Sequence, residues 1–128
     1  LLGENLFGKR ITVWGVAFKA ETDDVREAPA LTVIGQVLKN GAKIRVFDPV
    51  AKESAKKILS DVEFVDDIYE SVNESECLAV VTEWKQFKEA DLGRIKKLMN
   101  QPNVVDGRNI FEVNKMKELG FNYLSVGR

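Results

Sequence analysis

Two cations stand out by the company they keep. Lys19 closes the string Gly15-Val16-Ala17-Phe18-Lys19, and Arg108 sits within Asp106-Gly107-Arg108-Asn109. A lysine is a mobile point charge and an arginine a planar bidentate fork, so the two converging on one place suit a diphosphate. Beside them, Gly107 would let the backbone approach a ligand closely, and Phe18 offers an apolar surface to a sugar or base. Taken singly, each cation reads first as a solvated charge at a loop tip, and it is the convergence of two that brings the anion-binding reading level with it. Thr22-Asp23-Asp24 reads first as an N-cap cluster for a following helix. Arg26 is open between a salt-bridge partner of those aspartates and an anion ligand. Cys77 lies in an apolar string, where a thiol behaves as a small buried hydrophobe rather than a nucleophile. No residue here reads as catalytic and none as a metal ligand, since the chain has one cysteine and no histidine.

What matters next is which elements bring these residues together. Arg10 to Val16 is rich in β-branched residues and follows a Gly8-Lys9 turn, which predicts a first strand. Pro29 opens a helix over Ala30 to Asn40, with Leu31, Ile34, Val37 and Leu38 on one face and Gly41 as its stop. The alternation continues with a strand at Ala42 to Phe47, a helix at Ala51 to Leu59, a short strand at Val62 to Val65 and a helical turn at Ile68 to Val72. Cys77 to Val81 predicts a fourth strand, Ala90 to Met99 a helix, Asn103 to Asp106 a fifth strand, Asn114 to Leu119 a short helix and Phe121 to Leu124 a last strand.

Short apolar strands alternating with helices define an α/β fold: a doubly wound, Rossmann-like, mostly parallel sheet of five to six strands with helices on both faces. Residues 1–128 are expected to form one domain. In such a sheet ligands bind outside the carboxyl ends of the strands. That rule selects the long loop after the first strand, which carries Phe18, Lys19 and Arg26. It also selects Thr82-Glu83-Trp84-Lys85-Gln86-Phe87, which brings two aromatics and a carboxylate to the ligand edge, and Asp106-Gly107-Arg108-Asn109. Lys19 and Arg108 are expected on neighbouring loops.

Composition narrows the partners. Nineteen Lys and Arg are offset by 20 Asp and Glu for a net charge of −1, which argues against a nucleic-acid partner. The apolar runs, such as that around Ala79 to Val81, fall far short of the ~20 residues that cross a bilayer. A single cysteine and the lack of a secretory signal suit the cytoplasm, and the opening Leu1-Leu2-Gly3 suggests a piece of a longer chain. The first strand is followed by no G-x-G-x-x-G, so this is not a standard dinucleotide-binding half, and no Walker A string occurs.

The run Gly15 to Lys19 and on through Thr22-Asp23-Asp24-Val25-Arg26-Glu27-Ala28-Pro29-Ala30 resembles the opening of the C-terminal domain in the UDP-glucose/GDP-mannose dehydrogenase family. Asp48-Pro49, Thr82-Glu83-Trp84, Asp106-Gly107-Arg108-Asn109 and Gly127-Arg128 follow in the family's order, so the likeness covers essentially the whole chain. The Thr-Glu-Trp and Asp-Gly-Arg-Asn pair is most similar to the UDP-glucose 6-dehydrogenase branch. The resemblance implies a larger enzyme that oxidises the sugar C6 alcohol of UDP-glucose to a carboxylate with two NAD. This domain would hold the nucleotide sugar, an N-terminal domain would bind NAD and carry the catalytic cysteine, and the full enzyme would be a homo-oligomer. Phe18, Lys19 and Arg108 match substrate-contacting positions, and Arg26 matches an arginine that reaches the cofactor. Cys77 matches no catalytic position, and Ala20 stands where many relatives have proline. Two other classes compete: a receiver-like signalling module, suggested by Asp23-Asp24 and Thr82, and an assembly platform with a vestigial groove.

Overall fold

The computed structural model describes residues 8–15, 41–50, 52–57 and 61–125 of the chain. The predicted helix at 30–40 and the loop carrying Phe18, Lys19 and Arg26 lie outside them. The described elements are β1 (Arg10–Trp14), β2 (Lys43–Phe47), α1 (Lys52–Lys56), β3 (Glu63–Phe64), α2 (Ile68–Val72), β4 (Cys77–Val80), α3 (Lys85–Lys88), α4 (Leu92–Leu98), β5 (Asn103–Asp106), α5 (Val113–Glu118) and β6 (Asn122–Ser125). They build one six-stranded sheet in the order β3-β2-β1-β4-β5-β6. Every neighbouring pair is parallel. This is the doubly wound order, with its switch point between β1 and β4.

The central strands β1 and β4 form where the sequence places buried residues at successive positions, as a sheet covered on both faces requires, while the edge strands β3 and β6 are more exposed. On one face Trp14, Leu78, Val80 and Val104 join Ile68 and Val72 of α2, Phe87 of α3, Leu92 and Ile95 of α4, and Met116 of α5. Trp14 and Phe87 stack with ring centroids 5.0 Å apart, and both are fully buried. On the other face Ile11, Ala42 and Cys77 form a separate buried cluster. Buried polar groups tie α2 to β1: Thr12 Oγ1 donates to the Ser71 carbonyl and Trp14 Nε1 donates to Ser71 Oγ at 2.9 Å.

Three elements differ from expectation for local reasons. β1 ends at Trp14 because Gly15 turns the chain with φ of 90°. The single helix expected over Ala90 to Met99 starts at Leu92, where the Asp91 side chain caps it by accepting from the Arg94 N–H, and a separate turn of helix, α3, precedes it. β3 is only two residues long, since Arg45 and Val46 are its only partners in β2.

Candidate functional site

The register sets the strand ends level: Trp14 lies beside Phe47 and Val80, Val80 beside Asp106, and Asp106 beside Ser125. The residues just past them therefore form one row along the carboxyl edge. Three further backbone bonds extend the ladder into that row: Gly15 N–H to Phe47 O at 2.8 Å, Val81 N–H to Trp14 O at 3.1 Å, and Gly107 N–H to Val80 O at 2.8 Å.

Two glycines make the row compact. A Cβ on Gly15 would run into the Thr82 side chain, so the first and fourth strands can close on each other at the switch point only with glycine there. A Cβ on Gly107 would come within 3.1 Å of the Val80 carbonyl. Gly107 therefore serves the close approach of β5 to β4.

Arg108 is built from the buried residue before it. Asp106 is fully buried at the end of β5. Its Oδ1 accepts the Arg108 N–H at 3.1 Å, two residues on, the pattern by which aspartate makes a side-chain turn. Its Oδ2 accepts the Phe111 N–H at 3.0 Å and the Tyr123 hydroxyl at 2.6 Å. Asn109 takes the left-handed conformation, φ of 54°, that lets the loop double back between these anchors. The guanidinium is thereby carried to the surface, where Nη2 donates to Glu83 Oε2 at 3.0 Å. Both side chains of that pair are about half exposed, at 44% and 42%. Among the described residues the other N–H donors of Arg108 have no partner, so the fork retains capacity for an anion.

The neighbouring loops do not match the sequence reading in every respect. Lys19 and Arg108 were expected on adjacent loops, but β4 lies between β1 and β5, because the chain crosses from β3 to the far side of β1 before laying down β4. The loop after β4 is the neighbour of Arg108, and its Glu83 is the partner found there. Phe18, Lys19 and Arg26 themselves lie outside the described residues. The two aromatics assigned to the ligand edge turn inward: Phe87 is fully buried and Trp84 packs half-buried against the same core. The core has room for them because α3 lies over Trp14 and Phe47. The Trp84 indole N–H is buried without a hydrogen-bond partner. Cys77 is buried as expected, and burial pushes its thiol up to about 11.

Sequence reasoning missed the roles of Asp106, Tyr123 and Glu83. For Asp106 a signal existed, the Asp-x-Arg spacing of a side-chain turn. For Tyr123, 17 residues away, none did.

Residues 12–113 match the profile of the UDP-glucose/GDP-mannose dehydrogenase family, UDP binding domain. The chain belongs to this family. It is 39% identical over 122 residues to UDP-glucose 6-dehydrogenase TuaD of Bacillus subtilis (strain 168), covering 94% of this chain and 26% of the relative. Among solved structures it is similar to a UDP-glucose dehydrogenase from the hyperthermophilic archaeon Pyrobaculum islandicum, at 35% identity and TM-score 0.76, covering 94% of this chain and 26% of that one. It is similar also to the NDP-N-acetyl-D-galactosaminuronic acid dehydrogenase from Methanosarcina mazei Go1, at 27% identity and TM-score 0.83, over 99% of this chain and 26% of that one. The chain thus spans about a quarter of the length of the relatives it matches. The row of strand ends, with Arg108 standing out of it, lies on the edge at which open parallel sheets generally take ligands. No described helix is long and apolar enough to cross a membrane.

Proposed function

We propose that this chain holds the uridine diphosphate of UDP-glucose along the carboxyl edge of its sheet, as one domain of an NAD-dependent UDP-glucose 6-dehydrogenase. The observation that carries the reading is Arg108: a guanidinium raised out of the strand-end row by a buried carboxylate, with donors to spare for a phosphate. Phe18 and Lys19, which follow β1 in the sequence, contact the same ligand in this reading, the lysine adding a second charge to the diphosphate. Binding energy from that remote handle orients the sugar, whose C6 hydroxyl reacts elsewhere.

The reaction of the whole protein is oxidation of the C6 alcohol, through the aldehyde level, to a carboxylate, with one hydride passed to each of two NAD and water supplying the second oxygen. This chain lacks the glycine fingerprint that admits a dinucleotide pyrophosphate, so NAD and the reacting cysteine are assigned to an N-terminal domain of the longer protein. Arg26 reaches toward that cofactor in the assembled enzyme, a homo-oligomer. A reducing cytoplasm suits the unpaired, buried thiol of Cys77.

Calorimetric titration with UDP, GDP and NAD tests the reading. UDP is expected to bind in preference to the other two, and Arg108→Ala to weaken it by about ten- to a hundred-fold, the worth of one charge-assisted contact. Equal UDP affinity in the variant would remove Arg108 from the site.

A further inference from the structure

Arg108 is placed by contacts that its own side chain does not make. The register sets Val104 beside Tyr123 and Asp106 beside Ser125, so Tyr123 stands diagonally across from Asp106 on the same face of the sheet. From there its hydroxyl reaches Oδ2 of Asp106 at 2.6 Å and lies 3.1 Å from the Phe111 carbonyl. The phenol has one proton, and the shorter contact, to the carboxylate, takes it.

The carboxylate serves the two ends of one loop with different oxygens. Oδ1 holds the Arg108 N–H and Oδ2 the Phe111 N–H. Rotation of the carboxyl group would break both at once, and the tyrosine proton is what opposes that rotation from the β6 side. Because Asp106 is fully buried, water does not stand in for a lost partner. Outside the clamp, the tether of the Arg108 side chain among the described residues is Glu83, in a half-exposed pair that by itself fixes little.

We propose that Tyr123 and Asp106 are positioning residues for Arg108: the hydroxyl on the edge strand fixes the buried carboxylate, the carboxylate fixes the loop from residue 106 to 111, and the loop sets where the guanidinium meets a diphosphate. This rests on the nucleotide-sugar reading above and adds to it the device that aims the arginine. A purely structural role, fastening β6 to the sheet, would involve the same bond but would not act through Arg108.

A double-mutant cycle separates the two. The wild-type chain, Tyr123→Phe, Arg108→Ala and the double variant are titrated with UDP and with uridine, and amide hydrogen exchange is followed at Arg108 and Phe111. Tyr123→Phe keeps the ring in the core and removes only the hydroxyl. It is expected to weaken UDP roughly five-fold, to leave uridine unchanged, and to have no further effect once Arg108 is gone. Exchange at the Arg108 and Phe111 amides should quicken by about ten-fold while the β4 amides keep their rates. Additive losses in the cycle, an equal loss for uridine, or unchanged exchange in the loop would each overturn the proposal. Should Arg108→Ala bind UDP as the wild type does, the nucleotide reading fails, and the exchange rates still decide whether the hydroxyl holds the loop.

Discussion

Both ends of the sheet bury polar side chains, yet the two ends put them to different use. At the amino end the polar groups close on the backbone around them. Ser75 Oγ lies within hydrogen-bond distance of the carbonyls of Arg10 and Cys77, Asn103 Nδ2 donates to the Glu76 carbonyl at 2.9 Å, and the Arg10 N–H donates to the Glu76 carboxylate. Two arginines there are held by surface pairs and carbonyls: Arg10 pairs with Glu74, and Arg45 pairs with Glu63 while donating to the carbonyls of Glu70 and Asn73. At the carboxyl end the buried Asp106 instead directs its lone pairs to a loop, and the loop lifts a cation outward. Burial of polar groups therefore does not by itself mark a site. What distinguishes the carboxyl end is a satisfied buried group, Asp106, whose effect is to hold the loop that carries a cation to the surface.

Substitutions at the two ends should separate along the same line. The largest effect is expected at the switch point, where Gly15→Ala both clashes with Thr82 and forces an alanine to a φ of 90°. About 3 kcal/mol of stability should be lost, read as a lowered urea midpoint. A shift under about 0.5 kcal/mol would mean that the strand ends are not closed as described. Next comes Arg108→Ala, whose ten- to hundred-fold loss of UDP affinity should come with almost no change in stability, within about 0.5 kcal/mol, since its ion pair with Glu83 is half exposed.

Asn103→Ala at the opposite end should do the reverse. It removes the bonds to Glu76 and Gln101 and the acceptor of the Asn122 side chain, at a cost of about 1–2 kcal/mol, and leaves UDP affinity untouched. An affinity loss there would break the distinction between the ends.

The smallest effect concerns Cys77, also at the amino end. Its pKa, raised to about 11 by burial, lies above the unfolded value. The folded state therefore holds the thiol proton more tightly. The associated stability is fully present below the unfolded pKa and is lost as pH rises from about 8.5 toward the folded value. Below that window a thiol reagent should react only as fast as the chain opens, and rapid labelling of the folded protein at pH 8 would show the cluster of Ile11, Ala42 and Cys77 to be accessible.

Much of this fold was legible beforehand. The apolar strings of β1, β2, β4 and β5 read directly as strands because a sheet buried on both faces needs apolar residues at successive positions, and their short alternation with helices fixed the parallel class. The capping aspartates were less visible. Asp67 and Asp91 each start a helix by accepting backbone N–H groups, and those bonds hold the Asp67 carboxyl below its ordinary range. The surrounding residues do not announce these starts, so the helix bounds shifted by a few positions.

The amino-acid sequence determined the class of fold and, through its motif strings, the family, and it made the carboxyl edge and Arg108 candidates. Those conclusions depend on residue type and on spacing along the chain, both of which are local. The tertiary structure decided that β4 separates β1 from β5, that Phe87 and Trp84 turn toward the core, that Glu83 is the partner of Arg108, and that Tyr123 reaches Asp106. Each of these is a pairing between distant segments, set by strand order and by which face a side chain leaves, and no local pattern encodes either.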